Sequence, residues 1–224
     1  MLTSEQKKKY FDKYWEDQPS DKTDPRSKQR SEYVWNMLES TDGSLLDVGC
    51  GRGIMLEYFA SHGFDVTGID ISPESVRIAE KMGYNAAVVD LEADEIKGQF
   101  DIILCLEVLQ QVYDPVSILK KLTDALTDNG ELIVSLPNEF HIVSRLKLLL
   151  GNSHLGHFDH SHVRLFSLSR HRELFGDAGL RIIKSKHVSI VPPSYDILSN
   201  LFNPLLNISP SLMSLSSIYK LEKK

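Results

Sequence analysis

LLDVGCGRG, residues 45–53, decides how the chain is read. Leu45, Leu46 and Val48 are apolar and suit a short buried strand, which Asp47 closes. Gly49, Gly51 and Gly53 follow at alternate positions, and Ile54 begins a helical pattern. Glycine lets a backbone approach a ligand closely and supplies dihedrals that other residues resist. A helix start adds unpaired N–H groups that favour an anion. Strand, glycine-rich turn and helix together predict a pocket for a nucleotide-like ligand.

The spacing narrows the ligand. A dinucleotide fingerprint reads G-x-G-x-x-G. Here the third glycine comes one residue early, at Gly53, and Ile54 stands where that fingerprint wants glycine. Asp47, ahead of the glycines, is not part of it either. D-x-G-x-G-x-G resembles the first motif of the class I S-adenosylmethionine-dependent methyltransferases. The resemblance covers residues 44–136 closely and 167–221 loosely. It implies an α/β, Rossmann-like fold: a seven-stranded, mostly parallel sheet with helices on both faces, an antiparallel last strand and small late insertions. It also implies S-adenosylmethionine as cofactor and S-adenosylhomocysteine as product. The competing readings are an ordinary strand-to-helix turn, a non-catalytic S-adenosylmethionine-binding or scaffold protein, and an NAD-dependent oxidoreductase. The glycine spacing counts against the last.

The bulk composition sets outer bounds. With 224 residues, 42% hydrophobic and 25% charged, the chain suits one α/β domain with a full core and a small addition. A net charge of −6 argues against broad nucleic-acid binding. The two cysteines, Cys50 and Cys105, both fall in core-like motifs, which predicts a reducing compartment without disulfides. Neither a signal peptide nor an apolar run of membrane-spanning length is visible, so a cytoplasmic protein, monomer or homodimer, is expected.

Along the chain, residues 1–40 read as a helical lid segment and 41–224 as the catalytic domain. Within YFDKYW, residues 10–15, Tyr10 and Tyr14, and Phe11 and Trp15, are four apart and share helical faces. Either they pack on the domain or, as in methyltransferases similar to this one, Tyr14 and its neighbours close over the methionine end of the cofactor. Residues 31–40 continue as an amphipathic helix. Strands are predicted at 44–48, 64–70, 85–90, 100–109 and 131–137, separated by helices at about 54–62, 72–82 and 115–126. Asn129-Gly130 reads as a turn. This alternation means a parallel sheet with its ligand at the carboxyl ends of the strands. Residues 138–166 and 192–210 read as insertions, with a helix from Ser169 to Ala178 between them and strands at 180–191 and 212–221.

The next three strand ends also carry acids. Asp70 lies 17 residues past Gly53, where the resemblance places the carboxylate that takes both ribose hydroxyls, with Ile71 beside it. Asp90 matches the position that meets the adenine amino group, and Leu91 would lie by the base. Cys105, Leu106 and Glu107 end the fourth strand, where the family holds the methionine amino group on backbone carbonyls. The resemblance also sets Asp47 and the first-motif loop, Gly49, Cys50, Gly51 and Gly53, by the methionine portion. Gln111 stands where the family often has histidine, so no proton transfer is assigned there.

A hydroxyl acceptor needs a base, and histidine suits that task near neutral pH. His154, His157, His160 and His162 fall in the first insertion. His162, Arg164, Phe166 and Ser167 resemble an H-x-R-x-F-S segment of ubiquinone-biosynthesis-like small-molecule methyltransferases. His162, His157 and His160 are therefore candidate bases or acceptor-binding groups. A structural loop and a metal site using His157, Asp159 and His160 or His162 are the alternatives, and no nearby cysteine supports zinc. The apolar residues of the insertions are Leu146, Leu148, Leu149 and Leu150, then Leu198, Leu201, Phe202, Leu205 and Leu206. Completing the core is the reading preferred for them. An apolar acceptor pocket, a dimer face and, with Arg145 and Lys147 alongside, a membrane-surface contact stay open. The expected partner is a small-molecule acceptor or an envelope glycan or lipid precursor.

Overall fold

The computed structural model describes residues 3–17, 25–152, 162–192, 195, 202 and 204–224. Two helices, α1 (Ser4–Asp17) and α2 (Pro25–Trp35), precede the sheet. Then β1 (Ser44–Val48), α3 (Ile54–Ala60), β2 (Asp65–Asp70), α4 (Pro73–Lys81), β3 (Asn85–Val88) and β4 (Phe100–Leu106) alternate. They are followed by α5 (Pro115–Asp124), β5 (Leu126–Pro137), α6 (Ile142–Leu149) and α7 (Leu168–Asp177). The chain closes with β6 (Leu180–Ser189), α8 (Pro210–Met213) and β7 (Ser214–Lys223). The seven strands lie in the order β3-β2-β1-β4-β5-β7-β6. β1 to β5 are parallel, and β7 runs antiparallel to both β5 and β6. The expected sheet, with its antiparallel last strand, is the observed one.

Side chains alternate across a strand, so a sheet covered on both faces splits its apolar residues between two cores. Leu46, Ile103, Cys105, Leu132 and Val134 point to one core, which the leucines of α5 and Phe175 of α7 complete. Leu45, Ile102, Leu104 and Ile133 point to the other, with Val34 of α2 and Leu56 and Phe59 of α3. Local signals set the helix ends. Ser72 caps α4 by accepting from Ser75 N–H, with Pro73 in the first turn. Ser167 caps α7 in the same way, and Gly179 follows it at φ 75°.

Three expectations are corrected. The amphipathic helix begins at Pro25 and stops at Trp35 instead of spanning 31–40. Residues 127–130 do not separate a helix from a strand. They form a bulge inside β5, because Phe100 already pairs with Leu126 while Ile102 pairs with Glu131. The leucines of α6 do not complete the core. Leu149 is 82% exposed and Leu150 85%, and Ser144 is the buried residue of that helix. In the second insertion Leu206 is buried and Ile208 is 79% exposed. Leu198 and Leu201 lie outside the described residues. No described helix is long and apolar enough to cross a membrane.

At the amino-terminal edge of the sheet, the buried Glu131 carboxylate accepts from the Lys220 ammonium at 2.6 Å and from Ser40 N–H at 2.8 Å. Glu39 reaches the same Lys220 at 2.8 Å. These contacts tie the segment before β1 to β5 and β7. Removing one member of such a buried pair leaves the other desolvated and uncompensated, at a cost of about 3 kcal/mol. Lys220→Met should therefore lower the unfolding free energy from denaturant titration by about 3 kcal/mol, and an unchanged value would contradict this account.

Candidate active site

In a parallel sheet whose strand order reverses, loops leave the carboxyl ends in opposite directions and open a crevice. Here β1 lies between β2 and β4, and the crevice continues as a cavity of about 1860 Å³. Pockets for one small molecule run to about 1,000 Å³, so there is room for a cofactor and an acceptor together.

The β1 loop supplies Asp47, Gly49, Cys50 and Gly51 to the cavity wall. Gly49 is at φ 73°, and a Cβ there would come within 2.5 Å of Val108 in the loop after β4. Gly51 is at φ 51°, and a Cβ there would meet the Trp15 ring at 2.7 Å. The cradle thus needs glycine for both conformation and close approach. β2 supplies Asp70 and Ile71. The Asp70 carboxylate accepts from Gly51 N–H and Ser72 N–H, both at 2.9 Å, one on each oxygen. A carboxylate has about four lone-pair directions, so each oxygen keeps capacity for a hydroxyl. β3 leads to Asp90 and Leu91, also on the wall, where Asp90 Oδ1 accepts from Glu92 N–H at 3.0 Å.

β4 ends in Leu106 and Glu107, both lining the cavity. Glu107 is the single non-glycine residue at positive φ, 59°, among the described residues. Backbone strain of this kind persists where surrounding bonds hold it, commonly at functional sites. Here Glu107 N–H and its Oε1 both bond the Ser135 hydroxyl, at 3.0 and 2.9 Å. Cys105 and Gly53 do not line the cavity. Cys105 is fully buried in the core behind it, and Gly53 caps α3 at φ 79°. Burial pushes both thiols, Cys50 and Cys105, above their ordinary range, so they act as small apolar groups.

Helix α1 crosses this half of the cavity and lines it with Tyr10, Phe11, Tyr14 and Trp15. Polar contacts of three residues, Asp12, Arg52 and Lys7, hold it there. Asp12 accepts from the Ser72 hydroxyl and from Glu74 N–H, at the start of α4. Arg52 donates to the Trp15 carbonyl. Lys7 pairs with Glu92 and lies 4.7 Å above the Tyr113 ring. The aromatic spacing points to α1, whereas Asp12 and Lys7 carry no sequence signal that separates them from the surrounding surface charges.

The other half of the cavity lies over β5 and β7. β5 runs into Asn138 and Glu139, both buried and both lining it. Asn138 is anchored to the start of β7: its N–H donates to the Leu215 carbonyl at 2.8 Å, and its amide to the Ser214 carbonyl at 2.9 Å. Below it, buried His171 spans from the Pro137 carbonyl (3.0 Å) to the Tyr219 hydroxyl (2.9 Å). Burial lowers the His171 pKa to about 4, so this imidazole stays neutral and structural. His162 Nδ1 lies 2.8 Å from Glu139 Oε1. An ionised carboxylate only accepts, so Nδ1 carries the proton and Nε2 is the basic nitrogen. His162 thus reaches the site, while His154, His157 and His160 lie outside the described residues. Glu139 was missed in the sequence. Its one signal was its place two residues past the ligand end of a strand.

Fold and cavity define an α/β protein that seats a nucleotide-like cofactor beside a second chamber. A family model described as a methyltransferase domain matches residues 14–185, and the chain belongs to that family. Curated relatives include a ubiquinone biosynthesis O-methyltransferase of Xanthomonas euvesicatoria, 37% identical over 117 residues, 49% of each chain. The namesake from Bordetella avium is 37% identical over 118 residues. The chain spans about half the length of the curated relatives it matches. Among solved structures, a 1,6-didemethyltoxoflavin-N1-methyltransferase of Burkholderia thailandensis superposes with TM-score 0.66 at 16% identity, over 100% of this chain and 92% of that one. A possible histamine N-methyltransferase of Thermotoga maritima gives 0.65 at 19%, over 88% and 89%. These likenesses establish the fold.

Asp47 gives the site a pH dependence. Burial, and next the charge of Asp70, push its carboxyl up to about 7. Below that pH it is protonated and neutral, and above it is an anion. A ligand that brings a cation to Asp47 must displace that proton, so its affinity rises as pH climbs through the pKa. For S-adenosylmethionine, calorimetry should show affinity rising about tenfold from pH ~6 to ~8 in the wild type and not in Asp47→Asn. A flat wild-type profile would mean that no cationic group of the ligand reaches Asp47.

Proposed function

We propose that the protein is an S-adenosylmethionine-dependent methyltransferase that methylates a hydroxyl of a small molecule in the cytoplasm. The observation that carries this reading is the Glu139–His162 pair, which opens onto the same cavity as the glycine cradle and Asp70. The O-methyltransferase relatives support an oxygen acceptor.

When bound, S-adenosylmethionine supplies an electrophilic methyl group on a sulfonium. The chain's residues hold and orient. Asp70 takes the ribose hydroxyls with its remaining lone pairs, and Asp90 and Leu91 receive the adenine. Asp47 and the β1 loop face the methionine portion. The α1 aromatics act as a lid that keeps water from the reacting centre. His162 Nε2 takes the acceptor's hydroxyl proton, and Glu139 stabilises the imidazolium that forms. Positioning supplies much of the rate of such a displacement, and the base adds a factor of about 10² or more.

A nitrogen acceptor has less need of a base, because a neutral amine already presents a lone pair. His162→Ala therefore separates the two. In a tritiated-methyl transfer assay with phenolic acceptors, kcat should fall by about 10² or more. Affinity for S-adenosylhomocysteine should stay within about twofold, and Glu139→Gln should cost less than His162→Ala. Unchanged turnover and an unchanged pH–rate profile would remove His162 from the mechanism.

A further inference from the structure

The buried polar atoms of the cavity wall include Arg30 Nε and Gln110 Oε1, neither with a partner among the described residues. They need opposite things. An arginine nitrogen taken out of water calls for an acceptor, best an anion that its planar fork can grip twice. A buried amide oxygen calls for a donor.

The fold brings the two atoms to one chamber. Gln110 is 2% exposed, and its amide nitrogen is fixed on the Glu107 carbonyl at 2.8 Å, which leaves the oxygen. Its backbone carbonyl takes the N–H groups of Val163 and Arg164 at 2.9 and 3.2 Å, which puts it next to His162. Across the chamber, Arg26 and Arg30 are four apart on one face of α2, and both line the wall. Arg26 donates to the Ile190 carbonyl at 3.3 Å, just past β6, and Ile190 N–H in turn donates to the Met213 carbonyl, next to the start of β7 that anchors Asn138. Lys147, from α6, lines the rim. Of the acids that line the cavity, Glu139 is committed to His162 and Glu107 to Ser135, and Glu16 and Glu57 lie on the wall as well. Arg26, Arg30 and Lys147 thus share one cavity with a polar corner made of Gln110 and His162.

We propose that the methyl acceptor is a hydroxyl-bearing anion, its carboxylate or phosphate bound at Arg30 and its hydroxyl turned to Gln110 and His162. This rests on the methyltransferase reading and adds the chemical class of the acceptor. The hydroxyl donates to Gln110 Oε1 before its proton passes to His162, and Arg26 and Lys147 add attraction for the anionic end.

The test is calorimetric titration of the protein, loaded with S-adenosylhomocysteine, with 3-hydroxybenzoate, 3-hydroxyphenyl phosphate and the neutral 3-hydroxybenzamide. At least one anion should bind about tenfold or more tighter than the amide, and which one does so separates carboxylate from phosphate recognition. Arg30→Gln should erase that preference with S-adenosylhomocysteine affinity unchanged, and Arg30→Lys should restore part of it. If Arg30→Gln fails to fold, Lys147→Gln, on the exposed helix, should reduce the preference about threefold. Anions that bind no better than the amide, or a preference indifferent to both substitutions, would overturn the proposal. Failure of the wild type to bind S-adenosylhomocysteine would overturn the methyltransferase reading instead.

Discussion

The reversal of strand order at β1 is the constraint on which the site depends. Because β2 lies on one side of β1 and β4 on the other, the loops after β1 and β4 part and leave a crevice. The same two loops meet again just above it, where Gly49 faces Val108 at a distance that admits no side chain. The Asp70 carboxylate then ties the end of β2 to the β1 loop through Gly51 N–H. One hydrogen bond and one missing Cβ thus shape the cofactor cradle, and every other element of the cavity is placed relative to it.

Two further devices complete the cavity, each at one end of the sheet. Over β1–β3, helix α1 is pinned by Asp12, Lys7 and Arg52, so its aromatic face meets the glycine loop. Over β5 and β7, the antiparallel pairing brings Ser214–Ser216 beside Asn138, and His171 braces the platform from below. His171 and His162 show how environment divides one residue type between two roles. The first is buried between a carbonyl and a phenol and kept neutral, while the second is oriented by a carboxylate at the cavity wall.

The parallel strands and the glycine loop were legible in the sequence because their signals are local: short apolar runs, a dense glycine pattern, and acids at strand ends. The cap of α4 is legible for the same reason, a serine, Ser72, directly ahead of Pro73. What misled was local chemistry overruled by pairing. Asn129-Gly130 has turn chemistry, yet pairing on both sides absorbs it as a bulge in β5. The apolar run of α6 reads as core, but no neighbouring element among those described covers Leu149 or Leu150. Glu139, Arg30 and Asp12 were illegible because each reaches the site through contacts distant in sequence: β5 with β7, α2 with the end of β6, and α1 with the start of α4.

The cofactor cradle is the central claim, and a calorimetric titration of the purified protein with S-adenosylhomocysteine, with NADH run in parallel, tests it most directly. The account predicts stoichiometric, micromolar binding of S-adenosylhomocysteine and no heat from NADH. Binding of NADH, or absence of S-adenosylhomocysteine binding, would contradict it.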